Sequence, residues 1–456
     1  MSFINEITNL TYNGCLLLLL AITVFIGVTI SVFNRPFNGT QLIFLTIPIT
    51  IPLVGDPYGG MAFFNIRLYD LLTVLTFCAI VAAVCINKHR GFAKTVLGWP
   101  FFLYCIANLL SLFNSPYITD SIRQFLKLFA ANVTMYLVIT TTLNTAQRIE
   151  KVLKIMFSSG VLVCLVGTLQ NIMFLFFDIN WFFIKNNYRA TATFAEAGWY
   201  AQYISLLFSI ALPLYLSRAF KHWKRWLGVC ICILLVVIAS ESSRAAYVAT
   251  FSVIFVGLLL GIGGRDRIRV FAKVTTFVVL ALVLASLLSS LLSAKLQFVR
   301  LRKEIFALDE PSNAIRVRLA SQTWDHIIDH PVIGVGFGTW QRVITADLGV
   351  RPVRGGSAFN AILGVLYDAG ILGLFAFGMI CFSYLSACFR LLKSTSDPKK
   401  TALLQVAILV FVNLFVVAQF HPSWLIGYNW LGIAMGMAIV SVVRKDMADE
   451  NSFCPS

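Results

Sequence analysis

Long apolar blocks recur along this chain, and every second connection between them is basic. A helix that crosses the hydrocarbon core needs roughly 17–25 mostly apolar residues. Stretches near 15–32, 41–54, 66–86, 96–113, 125–143, 155–177, 199–216, 226–240, 245–262, 273–292, 360–389, 403–420 and 424–443 approach or reach that length. In lipid, only a segment that satisfies its own backbone hydrogen bonds can span, so each stretch reads as a helix. Pro48 and Pro52 interrupt the second, which crosses or re-enters. The expectation is an all-α, polytopic integral membrane protein of about 12–13 transmembrane helices.

Composition agrees. The chain is 59% hydrophobic and 12% charged, against about 45–50% and about 25% in soluble domains. The net charge of +16 would suggest nucleic acid in a soluble protein. Here the cations sit in loops, and no basic tract interleaved with aromatics is present, so no nucleic-acid partner is expected. Nine of the ten cysteines lie in apolar blocks and Cys454 lies in the tail, which gives neither a disulfide framework nor a zinc pattern. No basic n-region or A-x-A site marks a cleaved signal peptide.

Lys and Arg in short loops set the orientation. Basic connections occur at Lys88–Lys94, Arg148–Lys154, Arg218–Arg225, Arg265–Arg269, Arg390–Lys400 and Arg444–Lys445. These six are assigned to the cytoplasm, and the connections between them, including the turns at Ser242 and His421, to the external side. The N-terminal topology stays open. Three regions follow: N-terminal transmembrane helices at 1–292, a long extracytoplasmic loop at 293–357, and C-terminal transmembrane helices with a cytoplasmic tail at 358–456.

The loop is too long for an idle linker, and it is rich in Arg on the side where the charge rule disfavours Arg. Residues 313–330 read as an amphipathic helix with Ser312 or Asn313 as N-cap and Pro331 as stop. At 100° per residue, Ile315, Leu319, Thr323 and Ile327 share a face that includes Arg316. Arg318 falls opposite, beside Asp325 and Asp329. Arg316 is therefore the arginine expected to face the membrane domain.

Arg244, in Glu241-Ser-Ser-Arg244, stands between two apolar blocks. Such a charge lines a cavity or snorkels to lipid phosphate, and the first reading is favoured. Arg123 and Lys127 share a helix face. Segment 189–202 places Arg189, Glu196, Trp199, Tyr200 and Gln202 at the mouth of a span, with Glu196 either a general base or an ion-pair partner. Arg351 and Arg354 guard a lateral opening or anchor the interface. His421 is structural or a proton carrier. Gly334-Val-Gly336-Phe-Gly338 lacks the context of a phosphate loop and reads as a flexible turn. His326 and His330 lack a third ligand, so no catalytic metal is indicated. Converging external cations fit a lipid diphosphate, because the planar guanidinium donates paired hydrogen bonds to phosphate.

The chain resembles the bacterial O-antigen ligase and O-antigen polymerase superfamily of membrane glycosyltransferases. The resemblance rests on Ser242-Ser243-Arg244 opening a span and on the long loop, with Arg316 upstream of Asp329-His330-Pro331-Val-Ile-Gly334-Val-Gly336-Phe-Gly338. It rests also on Asn360 followed by Tyr367-Asp-Ala-Gly370-Ile-Leu-Gly373. It implies a GT-C-like fold in the bacterial inner membrane and inverting transfer from undecaprenyl diphosphate without metal or cofactor. Arg244 and Arg316 would hold the diphosphate. Arg123, Lys127 and Arg189 would support either lipid, Glu196 would serve the acceptor hydroxyl, and Trp199 and Tyr200 would stack on sugar. The implied partners are lipid-linked donor and acceptor glycans and membrane lipids, with a chain-length regulator and a flippase beside them. Ligases carry His where Phe359 precedes Asn360, and Phe-Ala-Glu196-Ala-Gly-Trp-Tyr resembles the polymerases, so the polymerase branch is expected ahead of the ligase. A transporter of an anionic lipid-linked glycan is a third reading, disfavoured by the lack of an internal repeat.

Overall fold

The computed structural model describes residues 92–127, 132–177, 190–194, 197–241, 243–261, 311–348, 358, 360–420 and 427–453, with a few isolated positions besides. Every element among them is helical. Before the cap come α1 (Gly98–Ser111), α2 (Ile118–Lys127), α3 (Thr134–Thr142), α4 (Ala146–Phe177), α5 (Ala197–Leu216), α6 (Lys224–Ser240) and α7 (Arg244–Leu259). Then follow α8 (Pro311–Asp329), α9 (Trp340–Leu348), α10 (Ala361–Ser394), α11 (Pro398–Ala418) and α12 (Gly427–Phe453). Five of the described helices are long and apolar enough to cross a membrane, and α7 is a shorter apolar one. Among the described residues the fold is all-α, with several membrane-length helices as a polytopic membrane protein requires. The expected spans 15–32 and 41–54, and nearly all of 66–86 and 273–292, lie outside the described residues.

Helix boundaries follow local chemistry. Asn360 caps α10, its side chain accepting from the N–H groups of Ile362 (2.9 Å) and Leu363 (3.1 Å). Asp397 caps α11 by accepting from Lys399 N–H, with Pro398 next, where a missing N–H costs nothing. Within the expected span 125–143, α2 is described to Lys127 and α3 begins at Thr134, directly after π-helical residues 132–133; residues 128–131 lie outside the described residues.

α11 lies at the centre of the bundle, against α5, α7, α10 and α12, and α10 packs on α1. Close approach depends on small residues and buried polar contacts, because lipid supplies no hydrophobic drive between helices. The Tyr384 hydroxyl of α10 donates to Ala407 O of α11 at 3.0 Å, and Gly436 of α12 makes room for the same ring. Phe251, Phe255, Phe375 and Phe382 point outward, as suits a lipid-facing surface.

One end of the bundle is basic. Lys399 pairs with Glu150 at 2.5 Å and Lys400 with Glu450 at 2.6 Å, tying the starts of α4 and α11 to the end of α12. The basic connections around Arg148, Lys224, Arg390 and Arg444 all fall at this end. The opposite end carries α8 and α9. Their core of Leu319, Ile327, Val335, Trp340 and Ile344 closes over Tyr367 of α10. Trp340 Nε1 donates to Thr323 Oγ1 at 2.8 Å, which locks α9 to α8.

Candidate functional site at the capped end

α10 is broken. Ala369 (φ −138°, ψ 15°) and Gly370 (φ 60°, ψ −157°) leave the helical region, so carbonyls before the break and N–H groups after it lose their partners. The segment after α8 supplies them. Val335 N–H donates to Tyr367 O at 2.8 Å, while Pro331 O and Val332 O accept from Ile371 N–H (2.9 Å) and Leu372 N–H (3.3 Å). Asp368 Oδ1 accepts from Gly338 N–H at 3.1 Å. The glycines permit this approach. A Cβ on Gly334 (φ +78°) would stand 2.6 Å from Ala369 N, and one on Gly370 would stand 2.4 Å from Val332 O.

The other side of the segment is also held. Asn114 Nδ2 donates to Gly334 O at 3.0 Å, and Phe337 N–H donates to Ser111 Oγ at 3.1 Å. The Gly334–Gly338 stretch is therefore a packed clasp, which corrects its reading as a flexible turn. The signal was available in sequence as three glycines in five residues, but its partners at Ser111 and Tyr367 were not.

Arg316 sits on the exposed part of α8, and its Nη1 donates to Phe420 O, just past α11, at 3.3 Å. It reaches the membrane domain, as its helical phase suggested. The remainder of that phase assignment holds for Leu319, Thr323 and Ile327, which are buried, and fails at Ile315, which is 55% exposed. Ile315 lies a full turn before the part of α8 that the α9 core covers. Among the described residues no ion pair joins Arg318 to Asp325 or Asp329. Asn360 Nδ2 contacts Gln419 O at 3.5 Å, so Asn360 both caps α10 and faces the same chain end as Arg316.

A buried polar set gives the depth of Arg244. Asn413 Nδ2 of α11 donates to Ser205 Oγ of α5 at 2.5 Å, and Ser205 Oγ lies 3.3 Å from Thr250 Oγ1 of α7. Trp199, Arg244 and Gln419 each stand six positions from that set towards the capped end. At about 1.5 Å per residue they share one layer, about 9 Å above it. Arg244 opens α7 there and is exposed. This layer is also where Arg316 and Asn360 meet the end of α11.

Other expected residues are placed differently. Trp199 is 5% exposed and Tyr200 is fully buried, with its hydroxyl against Gly167 of α4. Tyr200 is thus a packing residue in this conformation and is not open to a sugar. Arg123 is exposed and lies 3.9 Å from Asp120. Asp120 pairs more closely with Arg342 of α9 at 2.6 Å, and that guanidinium covers the Tyr117 ring at 5.0 Å. Arg342, absent from the sequence-derived set, couples the cap to α2. His326 Nε2 lies 2.6 Å from Asp347 Oδ2, bridging α8 and α9. Glu196, Arg189, Arg351, Arg354, Phe359 and His421 lie outside the described residues, as does the side chain of Lys127, which closes α2.

Fold and site together define a multi-spanning membrane protein whose bundle is capped at one end by two loop helices clasping a broken helix. Residues 228–378 match the model of the O-antigen ligase family, over about a third of the chain. The matched region runs through α6, α7, the cap and the break in α10. It agrees with the resemblance to the O-antigen ligase and polymerase superfamily and supports a glycan-transfer enzyme of that superfamily. No curated protein matches the chain.

Proposed function

We propose that this protein transfers a glycan from undecaprenyl diphosphate to an acceptor hydroxyl in the manner of an O-antigen ligase, on the periplasmic side of the bacterial inner membrane. The observation that carries this reading is the meeting of Arg316 and Asn360 at the end of α11, in the layer where Arg244 opens α7. Two guanidinium groups at the mouth of a membrane bundle suit a lipid diphosphate, whose headgroup is doubly phosphorylated and whose chain stays in the bilayer. As the acceptor oxygen bonds to the anomeric carbon, the bond to the diphosphate breaks and negative charge gathers on the leaving oxygens. Fixed guanidinium groups stabilise that charge without reorganising.

The remaining roles come from sequence. Glu196 takes the hydroxyl proton or orients the acceptor. Arg123, Lys127 and Arg189 assist with either lipid, Arg351 and Arg354 flank the entry, and His421 adjoins the Phe420 carbonyl that Arg316 contacts. The family match favours the ligase reading. The polymerase reading keeps two supports in sequence, Phe359 in place of a histidine before Asn360 and the polymerase-like Phe-Ala-Glu196-Ala-Gly-Trp-Tyr segment.

The test is to incubate purified protein with lipid-linked repeat units, with and without a lipid A core acceptor, and to size the products. Glycan joined to the core supports the ligase. Lengthened lipid-linked glycan supports the polymerase. Neither product, from folded protein, overturns both. In cells, polymerase loss leaves single repeat units on the acceptor, whereas ligase loss leaves none.

A further inference from the structure

The basic end carries a feature that glycan transfer does not use. A groove of about 540 Å³ opens between the end of α5 and the start of α6, lined by Tyr215, Lys224, Arg225, Gly228, Val229 and Cys232. Arg225, Val229 and Cys232 are spaced i, i+4 and i+7, so they form one stripe down α6. The stripe begins with cations and runs about 10 Å into the apolar part of the helix. Val229 is 59% exposed, so the stripe is not covered by another described helix.

Gly228 keeps the groove open. A Cβ there would stand 3.3 Å from the Tyr215 ring, so a larger side chain would fill the space between the two helices. Lys224 Nζ lies over the same ring at 5.8 Å, which holds its charge at the groove mouth. Among the described residues no carboxylate pairs with Lys224 or Arg225. Glu150 and Glu450, at the same end of the bundle, are engaged by Lys399 and Lys400.

We infer that this groove binds an anionic phospholipid of the leaflet at the basic end, with the phosphate at Lys224 and Arg225 and an acyl chain along Gly228, Val229 and Cys232. Charge complementarity selects the headgroup, because two cations with no carboxylate partner among the described residues face a surface where anionic lipid is concentrated. The apolar stripe below them selects a lipid over a free anion. Tyr215 lies at the depth where amphipathic rings favour the interface.

The test is native mass spectrometry of the full-length protein with phosphatidylglycerol or phosphatidylcholine added in turn. The wild type should retain phosphatidylglycerol preferentially. Each interfacial cation contributes about a factor of five, so Lys224→Gln with Arg225→Gln should cut that preference about 30-fold. Gly228→Leu, which keeps both charges and fills the groove, should lose the bound lipid as well. Arg390→Gln with Lys393→Gln, at the same end but outside the groove, should retain it. Retention of phosphatidylglycerol by both groove variants at wild-type levels would overturn the assignment. So would full displacement of the lipid by millimolar inorganic phosphate, which would reveal a simple anion site. Thermal unfolding of each variant in detergent distinguishes loss of the site from loss of the fold.

Discussion

Arg316 on α8 and Asn360 at the start of α10 contact consecutive backbone carbonyls, those of Phe420 and Gln419, at the end of α11. The cap helix and the broken helix are thereby referred to one chain end. The two residues should nevertheless fail differently. Arg316 is exposed and its bond to Phe420 O is long, at 3.3 Å, so Arg316→Gln should leave thermal unfolding nearly unchanged while lowering transfer about 10²–10³-fold. Arg244→Gln should behave in the same way. Asn360→Ala also removes an N-cap and should cost about 1 kcal/mol of stability. Normal product from either folded arginine variant would refute its assignment to the diphosphate.

The clasp predicts a sharp contrast among glycines. Gly334→Ala forces a Cβ towards the Ala369 nitrogen at φ +78° and should destabilise by at least about 2 kcal/mol. Gly378→Ala, in open space within α10, should instead stabilise by about 0.5–1 kcal/mol. Thermal unfolding in detergent reads both, and equal melting temperatures would contradict the packing described.

Asp368 tests whether the clasp depends on hydrogen bonding or on charge. Asp368→Asn keeps an oxygen for Gly338 N–H and should be mild. Asp368→Ala strands that N–H and should cost about 1–3 kcal/mol. Equal effects of the two substitutions on unfolding would mean that the carboxylate charge, and not the acceptor, matters.

The Asn413, Ser205 and Thr250 set joins α11, α5 and α7 within the bundle. Interhelical hydrogen bonds in membranes are worth about 0.6–2 kcal/mol, so Asn413→Leu should lower stability by that order. A double-mutant cycle with Ser205→Ala should show coupling, since the two side chains share one bond.

With guanidinium groups carrying the leaving-group charge, transfer should persist when divalent metal is removed by EDTA. Turnover measured on lipid-linked substrate after chelation and gel filtration checks this. Loss of activity that magnesium restores would transfer the role of Arg244 and Arg316 to a metal ion.

Much of this architecture was legible from residue type and order. Bilayer-length apolar blocks located α4, α5, α6, α10 and α11, and their described basic connections do gather at one end. The α8 periodicity anticipated the burial of Leu319, Thr323 and Ile327 and the inward reach of Arg316. Tyr200 misled because an aromatic at a helix mouth has the same local signature whether it meets a ligand or, as here, a glycine on the next helix.

Hydropathy and charge are properties of single residues and short windows, and they act wherever the segment finds itself. For that reason the sequence alone settled that the chain is helical, which segments suit lipid, and which end is basic. The break in α10, the clasp that satisfies it and the shared layer of Arg244, Arg316 and Asn360 depend on backbone groups far apart along the chain. A carbonyl at Phe420 or an N–H at Gly338 carries no side-chain signal of its own partner. Only packing in three dimensions brings Gly334 against Ala369, so only the tertiary structure could decide it.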